Sequence, residues 1–343
     1  MGLEIGKFAV AARGLSSKCA FPAIYSFGDS TADTGGMSAA FGPVPLPHGQ
    51  TFFKKPSGRL SDGRLIIDFM AECLGLPYVG AYLDSVGTKF AHGSNFASAG
   101  SSIRQGPRSP FFLALQVSQF MQFKARTTEL YKNSSNRGDL PNPMEFSKAS
   151  YTFDIGQNDI IFGFLNTTED QVPVTFPDIL TQFSQAVLRL YGEGARAFLV
   201  HNVGPIGCLP FGAAMFPPKN TTRDKNQRAV AQNEAVKEFN RQLKDTVVQL
   251  RKQLPQATIT YVDVYKDPWN FCCGILEPNL VLFRGTKSED KNNTCIATAC
   301  PDPQKHISWD GVYFSEAANQ WVVKKFFDGS VSDLSVPLNQ ACP

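Results

Sequence analysis

Four short blocks of this chain combine residue types that can make and break an acyl bond. The first is Phe27-Gly28-Asp29-Ser30-Thr31-Ala32-Asp33-Thr34-Gly35, directly after a short apolar run. A serine at a strand-to-helix turn exposes its hydroxyl and turns its own amide into the crevice, the arrangement an alkoxide-type nucleophile needs. The same residues could equally form an ordinary helix N-cap. The second block, Asn95-Phe96-Ala97-Ser98-Ala99-Gly100-Ser101-Ser102, carries a glycine that lets backbone approach a ligand and offers an open N–H. In the third, Asp154-Ile155-Gly156-Gln157-Asn158-Asp159, an asparagine side chain can donate to an oxyanion. The fourth, Ser308-Trp309-Asp310-Gly311-Val312-Tyr313-Phe314-Ser315-Glu316-Ala317, lies near the C-terminus.

Residues this far apart in sequence need a scaffold that gathers them. The short runs Ala23–Phe27, Tyr151–Ile155, Ala197–Val200 and Thr258–Val264 are mostly apolar and end near Gly, Asn or Asp. Such runs fit parallel strands covered on both faces. Between them lie helical patterns. The clearest spans Arg223 to Leu254, where Val236, Phe239, Leu243, Val247, Leu250 and Leu254 recur every three or four residues before Pro255 stops the helix. This alternation predicts a doubly wound α/β sheet with its site at the carboxyl ends of the strands. No linker or internal repeat interrupts it, so a single domain over 21–343 is expected after an N-terminal segment of residues 1–20. Gly192-Glu-Gly194-Ala-Arg-Ala197 fits the dinucleotide fingerprint but follows an apparent helix and precedes a strand. It therefore reads as a helix C-cap and turn rather than a pyrophosphate site.

With 343 residues, 43% hydrophobic and 18% charged, the chain has the composition of a folded globule, not a disordered one. Its net charge of +3 is spread without a basic block, which argues against nucleic-acid binding. No apolar run approaches the roughly 18 residues of a membrane-spanning helix, so no integral membrane association is expected. Eight cysteines occur, four of them between Cys272 and Cys300. Adjacent Cys272 and Cys273, without paired CxxC spacing, favour disulfides over zinc, and the stretch from Trp269 to Pro303 reads as a disulfide-tied surface excursion. Sequons at Asn133, Asn166, Asn220 and Asn292 point the same way, to the secretory pathway and a secreted or vacuolar protein. The N-terminus offers no convincing signal peptide: the apolar stretch from Phe8 stops at Arg13.

The four blocks, in this order, resemble the plant GDSL esterase/lipases of the SGNH hydrolase superfamily, in the branch that includes early-nodulin-like and fucosidase-like proteins. The likeness runs from about Phe21 to Cys342 and includes Ser57-Gly58-Arg59-Leu60-Ser61-Asp62-Gly63-Arg64, the stretch His201 to Cys208, and Pro337-Leu338-Asn339. It implies a three-layer α/β/α sandwich with a mostly parallel, flavodoxin-like sheet, and hydrolysis or acyl transfer of carboxylic esters without cofactor or metal. Carried over by motif, Ser30 is the nucleophile. The Ser30 and Gly100 amides and the Asn158 side chain form the oxyanion hole, and Asp310 orients the base. A monomer acting on a small-molecule, cell-wall or lipid ester is the expected form. A glycosidase would need paired carboxylates, which no motif supplies.

The base is where this sequence departs. The family's last block reads Asp-x-x-His, whereas Asp310-Gly-Val is followed here by Tyr313. A phenol of pKa about 10 stays protonated at neutral pH and cannot take a serine's proton. Losing the base of such a triad costs about 10⁴ to 10⁶ in rate. The ring of Tyr313 is expected in the imidazole's place beside Ser30. Two lesser departures are Thr31 in place of the motif's leucine and a shortened Cys-rich region before Asp310. Of the histidines His48, His92, His201 and His306, only His306 lies on the loop of Asp310 and could stand in; His201 belongs to the family's own His-Asn-x-Gly-Pro stretch and reads as structural. Two function classes follow: a serine esterase or acyltransferase with impaired or altered catalysis, or an inactive descendant that binds an acylated or glycosylated ligand or a protein partner.

Overall fold

The computed structural model describes residues 20–107, 109–135, 137–211, 229–265, 288–289, 295–297, 302–335 and 337–342. Five parallel strands form the central sheet: β1 (Ile24–Gly28), β2 (Gly93–Asn95), β3 (Ser150–Asp154), β4 (Ala197–His201) and β5 (Thr258–Val262), in the order β2-β1-β3-β4-β5. That is the flavodoxin-like order of a doubly wound sheet, whose ligands bind outside the carboxyl ends of the strands. The register sets Gly28 opposite Asp154, and Phe153 opposite Val200, so three strand ends finish level with one another.

Both faces of the sheet are covered. On one face Tyr25, Phe27, Tyr151, Phe153, Phe198 and Val200 pack against α3 (Leu113–Asn133), α5 (Phe176–Gly192) and α6 (Val230–Gln253). On the other, Ile24, Leu199 and Val262 meet α2 (Ile66–Cys73) and α7 (Glu316–Asp328). Two further helices, α1 (Gly36–Phe41) and α4 (Gln157–Asn166), start beyond the ends of β1 and β3. The abundance of Phe has its use here: Phe27 stacks on Phe96 and Phe153 and meets Phe120 edge-on, all within 6 Å between centroids.

The apolar runs mark β1, β3, β4 and β5 to within a residue or two. The helix expected from Arg223 begins at Val230 among the described residues, with Val236, Phe239, Leu243, Val247 and Leu250 buried along one stripe. Gly192 closes α5, Gly194 takes a φ of +98°, and β4 follows, as a helix end and turn require. A short antiparallel pair, β6 (Ser288–Glu289) and β7 (Cys295–Ala297), is all that is described of the stretch from Trp269 to Cys300. The expected surface excursion, with Cys272, Cys273 and Cys300, otherwise lies outside the described residues, as do Asn220 and Asn292. Cys342 is disulfide-bonded.

Candidate active site

Ser30 sits where β1 leaves the sheet. Gly28 has to be glycine there, because a Cβ would fall 2.6 Å from the Asp154 carbonyl oxygen. Gln116 of α3 bonds both backbone groups of Gly28, fastening the end of β1 to the helix. The Asp29 carboxylate then shapes the turn, its Oδ1 accepting from the Thr31 amide, the Thr31 hydroxyl and Gln157 Nε2 at 3.0–3.2 Å. Burial, and next the charge of Asp154, push the Asp29 carboxyl well above its usual range. Asp33 is equally buried and accepts from four amides: Gly35, Gly36, Met37 and Ala99. It thereby ties the nucleophile turn to the second block one residue before Gly100.

Ser30, Gly100 and Asn158 line one cavity of about 590 Å³. Among the described residues neither the Ser30 hydroxyl nor the amides of Ser30 and Gly100 make a hydrogen bond, and Gly100 holds a φ of +80° that favours glycine. Asn158, in the first turn of α4, donates one of its two amide hydrogens to the Ser101 carbonyl at 2.8 Å, which leaves the other for a ligand. Asp159 fastens the same joint by accepting from the Ile103 and Arg104 amides, and burial pushes its pKa up to about 6. Two unspent amides, one side-chain donor and a serine hydroxyl facing one space can hold a carbonyl for attack and stabilise the oxyanion that results.

Asp310 lies behind the cavity wall, fully buried, while Val312, Tyr313 and Phe314 line the cavity itself. Its Oδ1 accepts from the Val312 and Tyr313 amides at 2.9 and 2.8 Å, pinning the loop. Its Oδ2 is buried with no hydrogen-bond partner. Burial pushes the Asp310 carboxyl up to about 7, against the pull of the two amides. The Tyr313 ring packs against Met37, Val44 and Leu60 beside Ala99, so it forms wall rather than reaching back to Asp310 Oδ2 as an Asp-x-x-His imidazole would. The consequence is a pH dependence. A carboxyl with a raised folded pKa adds stability that is complete below the usual carboxylate range and is lost as pH climbs through about 7. Urea unfolding should show wild type losing a few kcal/mol more than Asp310→Asn between about pH 4 and 7. Parallel pH curves for the two proteins would contradict this.

The histidines are dispersed. His306 is turned to Asp302, Nε2 to Oδ1 at 3.2 Å, and does not line the cavity. His48 is buried edge-on to Trp309 with Nδ1 on the Pro45 carbonyl, and exposed His92 bonds the Pro22 carbonyl. His201 is the one histidine that lines the cavity among the described residues. Its position at the end of β4 was the available signal in the sequence. Among the described residues no group of three or more His, Cys, Asp or Glu side chains could hold a metal ion.

Fold and site together define an α/β/α hydrolase of carboxylic esters. The GDSL-like Lipase/Acylhydrolase family profile matches residues 24–326, and the chain belongs to that family. A GDSL esterase/lipase of Arabidopsis thaliana is 47% identical, covering 94% of this chain and 90% of the relative. An esterase of Hevea brasiliensis is 42% identical, covering 95% of this chain and 90% of its own. An Arabidopsis thaliana protein named alpha-L-fucosidase 3 is 44% identical, covering 91% of each.

Proposed function

We propose that this protein cleaves carboxylic esters, or transfers their acyl groups, through Ser30, and that its turnover is slow because Tyr313 stands where the family has its base. The observation that carries this reading is the convergence of the Ser30 hydroxyl, the unbonded Ser30 and Gly100 amides and the spare N–H of Asn158 on one cavity. Ser30 Oγ attacks the ester carbon, and the three donors take the negative charge that develops on the carbonyl oxygen. The alcohol leaves, and water or a second alcohol then attacks the acyl-enzyme. Apolar side chains such as Met37, Ile161, Phe162, Leu165 and Phe211 fill most of the wall, which suits an uncharged acyl group. A glycosidase reading is not supported, since Asp154 is the one carboxylate among the described lining residues.

The unpartnered Asp310 Oδ2 also favours a second reading, an inactive family member that retains the pocket for an acylated or glycosylated ligand or a protein partner. Hydrolysis of p-nitrophenyl acetate and butyrate by purified protein, wild type beside Ser30→Ala, separates the two. Turnover that disappears with Ser30 supports the esterase. Equal rates for both proteins support the binding protein.

A secreted or vacuolar location is part of the proposal. Asn133 and Asn166 are exposed at the ends of α3 and α4, open to an oligosaccharide, and the disulfide at Cys342 suits an oxidising compartment. Expressed through a secretory pathway, the protein should carry glycans at both asparagines and lose the corresponding mass on treatment with a peptide N-glycosidase. Unmodified Asn133 and Asn166 peptides would count against export.

A further inference from the structure

Three ionisable side chains line the Ser30 cavity among the described residues: Asp154, His201 and Tyr313. A neutral phenol cannot accept a proton, and the other two form a pair. Asp154 and His201 end adjacent parallel strands at the same level, with Asp154 Oδ2 3.7 Å from His201 Nδ1. Asp154 is also next to the nucleophile turn, since its carbonyl accepts from the Asp29 amide at 3.2 Å. In the sheet β3 lies between β1 and β4, so its last residue, Asp154, stands between the end of β1, which leads into Ser30, and His201. The imidazole packs edge-on to Phe326 of α7, and both its ring nitrogens are buried without a hydrogen-bond partner. Buried nitrogens left unbonded are costly, so such a ring needs an explanation. The carboxylate is the more exposed member, 13% against 2% for the side chains.

We propose that the Asp154–His201 pair is the proton acceptor for Ser30, doing from the end of β3 and β4 what the family's last-block histidine does from the other side of the serine. This rests on the reading of Ser30 as nucleophile. As Ser30 Oγ bonds the ester carbon and the carbonyl π pair moves onto oxygen, the hydroxyl proton passes to the Asp154 carboxylate. That carboxyl hands its proton to His201, which leaves Asp154 anionic beside an imidazolium. When the bond from carbon to the leaving alcohol breaks, the proton returns by the same route to the departing oxygen. Water then repeats the cycle on the acyl-enzyme. Imidazole is the side chain most often used to take and return a proton in catalysis. The 3.7 Å separation is longer than a hydrogen bond, and such catalytic contacts tighten when substrate closes the site. The looseness accounts for a slow enzyme rather than a dead one.

The test measures kcat and KM on p-nitrophenyl butyrate for wild type, Ser30→Ala, Asp154→Asn, His201→Gln and the double Asp154→Asn/His201→Gln, and for each in a Tyr313→His background. Each single change should lower Ser30-dependent kcat by about 10²-fold or more with KM within about threefold. The double variant should be no slower than the worse single, because the two act as a unit. Tyr313→His should restore turnover in both single backgrounds, which shows that fold and pocket survive. Ser30-dependent turnover unchanged in either single variant overturns the pair. So does a loss that persists beside an active Tyr313→His parent, since the pair is then structural. If only proteins carrying Tyr313→His turn over, the Ser30 reading stands and the pair falls. If no protein shows Ser30-dependent turnover, the Ser30 reading itself fails.

Discussion

Tyr313→His raises kcat/KM on a short-chain ester by at least roughly 10²-fold. Asp310 already sits with Oδ1 on the Val312 and Tyr313 amides and Oδ2 unoccupied, so the loop is set to receive an imidazole N–H. That hydrogen bond would fix the tautomer and ring orientation and leave the second nitrogen to face Ser30. It would also favour the ionised carboxylate and bring the Asp310 pKa down from about 7, so the buried charge gains a partner as the base is restored. The full worth of such a base is larger, about 10⁴ to 10⁶. The smaller figure allows for a wall built around Met37, Val44 and Leu60 to fit a phenol. The comparison is kcat/KM for wild type, Tyr313→His and Tyr313→His with Ser30→Ala. No gain in the single variant, with its far-ultraviolet circular dichroism unchanged, would mean that the wall keeps the new ring from Ser30.

A second large effect falls on stability. Asp33→Ala removes one carboxylate but strands four amides, the buried ones of Gly35, Gly36 and Met37 and the half-buried one of Ala99. Each buried donor left unsatisfied costs about 1–3 kcal/mol, so a loss of at least about 3 kcal/mol is expected even where water replaces part of the bonding. The Ala99 amide is bonded to Asp33 Oδ2 at 2.8 Å, and Gly100 follows it. Residual turnover should therefore fall too, because the backbone that presents the Gly100 amide has lost its tether. Urea unfolding reads the first effect and p-nitrophenyl butyrate turnover the second. A loss below about 1 kcal/mol would mean that the turn keeps its shape without Asp33.

How much of this was legible beforehand follows from what each feature depends on. The strands β1, β3, β4 and β5 are buried on both faces, and an apolar run is what such burial writes into a sequence. The edge strand β2 is Gly93-Ser94-Asn95, three residues with no apolar side chain, and it pairs with β1 through backbone alone. Periodicity has nothing to detect there. Ser30, Gly100, Asn158 and Asp310 stood out because each lies in a compact block with its own turn chemistry. The clamp by Asp33 was not visible, because its fourth donor, Ala99, is 66 residues away and is brought near only by the sheet. Nor was the approach of Asp154 to His201, since strand order decides which strand ends become neighbours. Tyr313 was legible as a departure, but the packing of its ring against Met37, Val44 and Leu60 depends on the side chains it meets. Loop side chains in one sequence do not define the shape of a wall.

The most direct test is to look for the acyl group itself. Wild type and Ser30→Ala are mixed with p-nitrophenyl butyrate, quenched in acid within the first turnover, digested and read by mass spectrometry. A butyryl group on the peptide that contains Ser30, in wild type only, is the predicted result. Butyrate found elsewhere, or equally in Ser30→Ala, would contradict the assignment of Ser30 as the nucleophile.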